Sequence, residues 1–191
     1  RCPRYGNDLP EVHRLAAEVA GQVFGEFGRY RPWRGGRFLP SCIMFTTYAH
    51  EGTKVGATPD GRRRGQFLSN AVCPVNGADR QGPTSVIKSV GALGLETAPN
   101  GASHTITFHP AIIRDPGHQN KFKAFLKGYA ENGGTCLQVN MLDPDMLRDA
   151  QQHPENYPHL LVRITGYNTY FTAIGKELQN EVIERVSHQG Y

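Results

Sequence analysis

At about 150 residues per domain, the 191-residue chain has room for one domain or slightly more. Its 22 Gly and 13 Pro predict many loops, while 38% hydrophobic residues suffice for a core and exclude a disordered chain. A net charge of only +4 and the lack of a long apolar run exclude an obligate nucleic-acid binder and an integral membrane protein. Four widely spaced cysteines with no C-x-x-C pair favour a reduced, cytoplasmic chain over a disulfide framework or zinc ribbon.

The first half of the chain alternates between periodic segments and long irregular ones. Apolar residues at helical spacing predict a helix that begins after residue 10 and stops near Gly28. The apolar, β-branched and aromatic run over 41–48 predicts a buried strand. Gly, Pro and polar residues dominate 52–83, and loops of that length are usually functional or disordered. Thr84 is expected to cap a short helix that ends near Leu93.

The second half has clearer start and stop signals. A helix is predicted after Asp115-Pro116-Gly117, and Asp143-Pro144, an N-cap residue before a proline at the first helical position, predicts a second one. Gly133-Gly134 is expected to end the first of them. Strands are predicted over 104–109, 135–142 and 160–164. A last helix is predicted with one apolar face made of Leu178, Val182, Ile183 and Val186.

The segment from Leu161 to Phe171 is the most informative part of the sequence. An apolar strand runs into a glycine turn and then into a second extended stretch. From the residues alone this pattern predicts a tight hairpin in which Gly166 supplies a positive φ.

The same segment also resembles a known family. Arg163-Ile164-Thr165-Gly166-Tyr167 is similar to the signature near the C-terminus of glycyl radical enzymes, which include pyruvate formate-lyase, glycerol and diol dehydratases, and arylacetate decarboxylases. The resemblance spans nearly the whole chain, because further segments follow in family order: Tyr5–Asp8, Gly56–Arg62, Gly82–Thr84, Leu147–Gln151 and Leu178–Arg185.

The resemblance implies both a fold and a mechanism. The fold would be α/β: the C-terminal part of a ten-stranded barrel of the pyruvate formate-lyase type over residues 1–130, and a glycyl radical domain with a buried radical loop over 131–191. Gly166 would store a backbone radical that a radical S-adenosylmethionine activating enzyme installs, with no cofactor remaining bound. The radical would pass to an active-site Cys that abstracts hydrogen from a small organic substrate, so that a C–C, C–O or C–N bond is broken or formed.

The choice of glycine also has a physical reason. An unpaired electron on the α carbon spreads into both flanking peptide groups only when that carbon becomes planar, and a side chain would oppose this planarity. The radical is oxygen-sensitive, so we expect a dry setting, which the apolar flanks Ile164, Tyr167, Tyr170 and Phe171 would suit.

The resemblance assigns weaker roles to other residues. Thr165 and Tyr167 would support the radical loop, and Arg163 would steer docking of the activating enzyme or simply be a solvated or paired charge. Arg185 would pair with an active-site carboxylate from another segment or be a helix-end charge. Along the strand predicted over 41–48, one face carrying Met44, Thr46 and Tyr48 is favoured as substrate-facing over the face with Ile43, Phe45 and Thr47.

None of the cysteines lies in the Gly-Cys-x-Glu-like loop of the family, so the thiyl Cys is expected outside this chain, which would be inactive alone. Cys42 and Cys136 are expected to be buried in strands, and Cys2 and Cys73 to be inert loop residues. The eight His lack metal-ligand spacing, so we expect no metal. The Arg62-Arg63-Arg64 run is expected to be solvated or paired within the chain.

The chain opens at Arg1 without a signal sequence, which suggests a piece of a longer protein that forms a homodimer at full length. Its partners would then be the activating enzyme, the rest of the polypeptide or a complementary subunit, and a small-molecule substrate. Three alternatives stay open: pyruvate formate-lyase itself, a stand-alone radical-bearing subunit that repairs another enzyme, and a nucleic-acid-binding module that uses the arginine run.

Overall fold

A computed structural model describes residues 2–185 as a mixed α/β arrangement. Within that range there are six α-helices, four short 3-10 turns and two two-stranded sheets. In chain order the helices and strands are α1 (Pro10–Gly28), α2 (Thr47–Lys54), α3 (Pro83–Gly91), β1 (Ser103–Phe108), α4 (Pro116–Glu131), β2 (Cys136–Met141), α5 (Pro144–Gln152), β3 (Leu161–Arg163), β4 (Asn168–Tyr170) and α6 (Lys176–Glu184).

Local capping fixes where two of the helices begin, as the sequence predicts. The Asp115 carboxylate accepts a hydrogen bond from the backbone N–H of His118 at the start of α4. Asp143 accepts from the N–H groups of Asp145 and Met146 at the start of α5. These N–H donors hold the pKa of the Asp143 carboxyl below its usual range, because they stabilise its charged form.

The larger sheet forms the centre of the first hydrophobic cluster. Strands β1 and β2 are parallel, with Ile106 opposite Val139, and α4 connects them. Burial of apolar side chains from β1, α3 and α4 is the main stabilising contribution here. The most buried members are Val86, Val90, Leu95, Ala102 and Phe108.

The smaller sheet belongs to a second hydrophobic cluster. Strands β3 and β4 form an antiparallel hairpin that packs with α5 and α6. Its buried residues are Leu142, Leu147, Ala150, Val162, Ile164, Phe171 and Val182. The Asn140 side chain in β2 joins the two sheets, because it donates to the carbonyl of Arg163 and accepts from the N–H of the same residue.

The strand predicted over 41–48 is wrong. Only Cys42 forms a β-bridge, with Ala102, and α2 begins at Thr47. Propensity for strand is weak where tertiary packing competes with it, and here Tyr48 is fully buried from a helical position. The common strand face proposed for Met44, Thr46 and Tyr48 therefore does not exist.

Three smaller predictions are also corrected. Thr84 is not a cap, since Gly82 precedes a helix that begins with Pro83. Cys136 is exposed and Cys42 is only half-buried, because each sits where its strand or bridge meets solvent. Val186 of the predicted apolar face lies outside the described residues.

The irregular segment predicted over 52–83 spans 55–82 between α2 and α3, and a buried arginine organises it. The guanidinium of Arg62, only 7% exposed, donates to the backbone carbonyls of Val55, Gly56 and Gln66. The expectation that this arginine is paired within the chain is thereby confirmed for Arg62. The predicted domain boundary at 130/131 falls at the last residue of α4 and remains a prediction; β1 and β2 pair across it.

Helix α1 has a different environment from the others. Its apolar positions Leu15, Val19, Val23 and Phe27 are all exposed, whereas Phe24 is buried. Among the described residues, no helix is both long enough and apolar enough to cross a membrane.

Candidate functional site

Gly166 lies at the tip of the β3–β4 hairpin. The last ladder pair is Arg163 with Asn168, and the N–H of Ile164 donates to the carbonyl of Tyr167 at 3.1 Å. Gly166 adopts a φ of +80°, in the left-handed region that L residues other than Asn and Asp rarely adopt. The hairpin predicted from the sequence, with glycine supplying the positive φ, is confirmed.

The space around Gly166 does not require a glycine. A Cβ at this position would meet its nearest neighbour, Nε2 of Gln138, at 3.8 Å, which is ordinary van der Waals contact. Other glycines are sterically required: a Cβ on Gly91 would lie 1.8 Å from the carbonyl oxygen of Asn132, and one on Gly52 would lie 2.4 Å from that of Gln66. Only backbone conformation favours glycine at 166, and asparagine would meet that demand at modest cost.

Side chains from other elements hold the hairpin tip. The N–H of Gly166 donates to Oε1 of Gln138 in β2 at 2.7 Å. The hydroxyl of Thr165 donates to the carbonyl of Phe45 at 2.8 Å. Gln138 and Thr165 are 7% and 1% exposed. The tip is thus tied on both sides of the peptide group that joins Thr165 to Gly166.

A buried ionic cluster contacts the hairpin at Ile164, where β3 enters the turn, and we call this point the base of the hairpin turn. Arg185 follows α6, and its Nη1 donates to the carbonyl of Ile164 at 3.2 Å. Its Nε pairs with Oε1 of Glu181 at 2.5 Å, and its Nη2 donates to the hydroxyl of Tyr48 at 2.5 Å. That hydroxyl in turn donates to Oε2 of Glu181 at 2.9 Å. We call Tyr48, Glu181 and Arg185 the buried triad.

The charges of the triad compensate one another. Glu181 is 1% exposed and the Arg185 side chain 8% exposed, so each charge depends on the other rather than on water. Burial acts to lower the pKa of Arg185, but the adjacent charge of Glu181 outweighs it and the pKa lies above its ordinary value. Burial raises the pKa of Tyr48, so its hydroxyl stays protonated and can donate a hydrogen bond.

The hairpin is buried on one side only. Ile164 and Phe171 are fully buried, but Gly166, Tyr167 and Tyr170 are exposed in this chain. Within this chain the tip projects beyond the second hydrophobic cluster, and burial of the radical loop in a complete barrel remains a prediction. The ring of Tyr167 lies beside the ring of Phe45, with 6.2 Å between their centroids.

The structure brings several predicted site residues to the hairpin and separates others from it. Tyr48 and Arg185 meet at the base of the hairpin turn, but Tyr48 is fully buried and does not face a substrate space. Arg185 has its carboxylate partner within the same helix, in Glu181, rather than from another segment. Arg163 donates to the side chain of Asn168 at 3.4 Å. Substrate-facing roles for the half-buried Met44 and Thr46 remain predictions.

The sequence reasoning gave no role to three residues that support the hairpin: Gln138, Asn140 and Glu181. Gln138 and Asn140 alternate with apolar residues along β2, a pattern typical of a strand with one solvated face. A signal was available for Glu181, since it lies four residues before Arg185 on the same helix.

Cys73 does not have the character of an activated thiol. Cys73 accepts from the N–H of Thr105 at 3.3 Å, and burial raises its pKa to about 11. A thiol with a raised pKa is a poor nucleophile, so Cys73 is a structural residue. Over residues 2–185, no three His, Cys, Asp or Glu side chains cluster closely enough to hold a metal ion.

Comparison with known proteins singles out the same part of the chain as the hairpin geometry. The family described as "Glycine radical" matches residues 68–172, more than half of the chain and including the whole hairpin tip. The chain belongs to the glycyl radical family. Membership implies a radical carried on a glycine as a post-translational modification.

Individual relatives are similar to this chain over nearly all of its length. The chain is 33% identical to indoleacetate decarboxylase from Tractidigestivibacter scatoligenes over 98% of its own length and 21% of that protein. It superposes on glycerol-bound, B12-independent glycerol dehydratase from Clostridium butyricum with a TM-score of 0.95 and 35% identity. A glycyl radical enzyme from Archaeoglobus fulgidus gives 0.92 and 37%. Each alignment covers 100% of this chain and 24% of the solved structure, so the chain spans about a quarter of the length of these two proteins.

Proposed function

We propose that this chain is the C-terminal part of a glycyl radical enzyme in which Gly166 carries the radical. The observation that carries the proposal is the hairpin tip itself. There a glycine that space does not require has its N–H held by a buried side chain, and the tip projects away from the core. The rest of the polypeptide would complete a ten-stranded barrel around this tip and exclude water and oxygen from it.

Activation would remove one hydrogen atom from Gly166. The Cα–H bond breaks homolytically, and the hydrogen atom forms a C–H bond with a carbon radical that the activating enzyme generates from S-adenosylmethionine by one-electron reduction. No proton or electron pair moves in this step, so the hairpin needs neither an acid nor a base.

The stored radical would then be passed on in two balanced transfers. A cysteine thiol returns a hydrogen atom to Gly166 and becomes a thiyl radical, which takes a hydrogen atom from the substrate. The cysteine would lie outside this chain, because none of the four cysteines of the chain lies in a Gly-Cys-x-Glu-like loop. This chain would contribute the store of the radical, and another segment the group that touches the substrate.

The substrate would be a small organic molecule. The relatives are named as a decarboxylase of indoleacetate and a dehydratase of glycerol. Their names favour a lyase-type reaction, dehydration or decarboxylation, over the acyl transfer of pyruvate formate-lyase.

Electron paramagnetic resonance tests the proposal. After anaerobic incubation with its activating enzyme, the full-length polypeptide should give a carbon-centred doublet, split by the one α-hydrogen that remains. Protein grown on glycine deuterated at the α carbon should give a collapsed, narrower signal, while protein labelled in alanine serves as the control. A doublet that is unchanged by deuterated glycine would show that the radical is not on a glycine.

A further inference from the structure

We propose that Gln138 is the positioning residue for Gly166, setting the orientation of its peptide group and covering one side of its α carbon. The inference rests on the proposed function. Gln138 comes from β2, a strand separate from the hairpin, so its side chain can hold the tip in a fixed place relative to the larger sheet.

Both ends of the Gln138 carboxamide face Gly166. Its Oε1 accepts the N–H of Gly166 at 2.7 Å, and its Nε2 lies 3.8 Å from the position that a Cβ would occupy. The hydroxyl of Thr105 in β1 donates to the same Oε1 at 3.5 Å. The carboxamide therefore lies beside the α carbon, on the side where an L side chain would be.

Burial of this carboxamide needs a compensating interaction. Gln138 is 7% exposed, and a buried amide destabilises the fold unless it is hydrogen-bonded. Leucine would fill a similar volume between the sheets without this penalty. The hydrogen bond from Gly166 to Gln138 is 2.7 Å long, against 3.5 Å for that from Thr105, so the contact with the hairpin tip is the closer of the two.

The hydrogen bond also acts on the atoms over which the radical spreads. The nitrogen of Gly166 belongs to the peptide group that must become coplanar with the α carbon once the hydrogen has left. An acceptor on its N–H holds that plane in one orientation. Removal of the acceptor should let the plane rotate and change how much unpaired spin reaches the nitrogen and its proton.

The test compares three variants in the full-length polypeptide. Gln138→Leu removes the acceptor, and Gln138→Glu keeps an acceptor oxygen. Gln179→Leu is the matched control, because Gln179 is a buried glutamine of α6 that donates to the carbonyl of Phe171 at 2.9 Å and makes no recorded hydrogen bond to Gly166. The readouts are amide hydrogen exchange at Gly166 before activation, followed by mass spectrometry, and the hyperfine coupling of the exchangeable amide proton after activation.

We expect Gln138→Leu to accelerate exchange at Gly166 about five- to tenfold, the scale of one net hydrogen bond. Its amide-proton coupling should change, and Gln138→Glu should restore the slower exchange. Gln179→Leu should alter neither readout. If exchange and coupling in Gln138→Leu equal those of the parent while all proteins give the doublet, the role of Gln138 is overturned. A parent protein without any glycine-centred doublet would instead overturn the proposed function, even where exchange responds to Gln138.

Discussion

Helix α1 and the hairpin unit formed by α5, β3, β4 and α6 use their apolar residues in opposite ways. Leu15 and Val19 on α1 are 62% and 52% exposed, whereas Leu147 and Ile164 in the hairpin unit are fully buried. Both regions have an amphipathic pattern, but only the hairpin unit buries its apolar residues against other residues of this chain. The hairpin that carries Gly166 is therefore held by residues of this chain.

The exposed face of α1 has the character of an interface. Contiguous exposed apolar residues on a helix typically mark a surface that another protein segment covers. The chain spans about a fifth of the decarboxylase it resembles, so the proposed longer polypeptide offers such a segment. The comparison predicts that substitutions in the two regions affect this chain very differently.

The largest effect is expected in the hairpin unit. Phe171→Ala removes a fully buried ring from the second hydrophobic cluster and should lower the free energy of unfolding by about 3–5 kcal/mol. Phe38→Ala, at a ring that is 46% exposed, is the control and should cost less than about 1 kcal/mol. Denaturant titration of both variants checks the difference, and equal losses would contradict the contrast between the regions.

A somewhat smaller loss is expected from the buried triad. Arg185→Met leaves the Glu181 carboxylate buried without its cation and the Ile164 carbonyl without a donor, which should cost about 3 kcal/mol. The double variant Arg185→Met with Glu181→Leu removes both charges and should recover a large part of the loss. If the double variant is less stable than Arg185→Met, the ion pair is not what holds the base of the hairpin turn.

The smallest effect on stability is expected on α1. Leu15→Ser combined with Val19→Ser should change the free energy of unfolding of this chain by less than about 1 kcal/mol, because neither side chain is buried. The same variant should reduce self-association of the chain in sedimentation velocity. A large loss of stability with unchanged association would mean that α1 belongs to the core.

Sequence reasoning succeeded where the signals are local. The helix after Asp115, the N-cap at Asp143 and the glycine turn at 166 follow from neighbouring residues in the sequence, and the corresponding elements are confirmed. The strand predicted over 41–48 is wrong because residues of these types occur equally well in a strand and in a buried helix. What decides between them is the distant contact of Tyr48 with Glu181.

The supports of the site were hidden for a similar reason. Gln138 and Asn140 look like the solvated face of a strand, and only the hairpin that packs on that face makes them buried. Burial of the tip at Gly166 stays a prediction, since it depends on atoms beyond this chain and not on the apolar flanks of the glycine. Sequence patterns identified the glycine, and the tertiary structure identified what holds it.

One paired substitution tests the central claim most directly. Gly166→Ala should fold with a penalty of about 1–2 kcal/mol from the left-handed backbone, since the new Cβ has free space. Gly175→Ala is the matched control in the same unit, with a φ of −59° and no atom within 4 Å of the new Cβ. After activation of the full-length proteins, the glycyl doublet should disappear in Gly166→Ala and persist in Gly175→Ala. A doublet of undiminished intensity in folded Gly166→Ala would contradict the assignment.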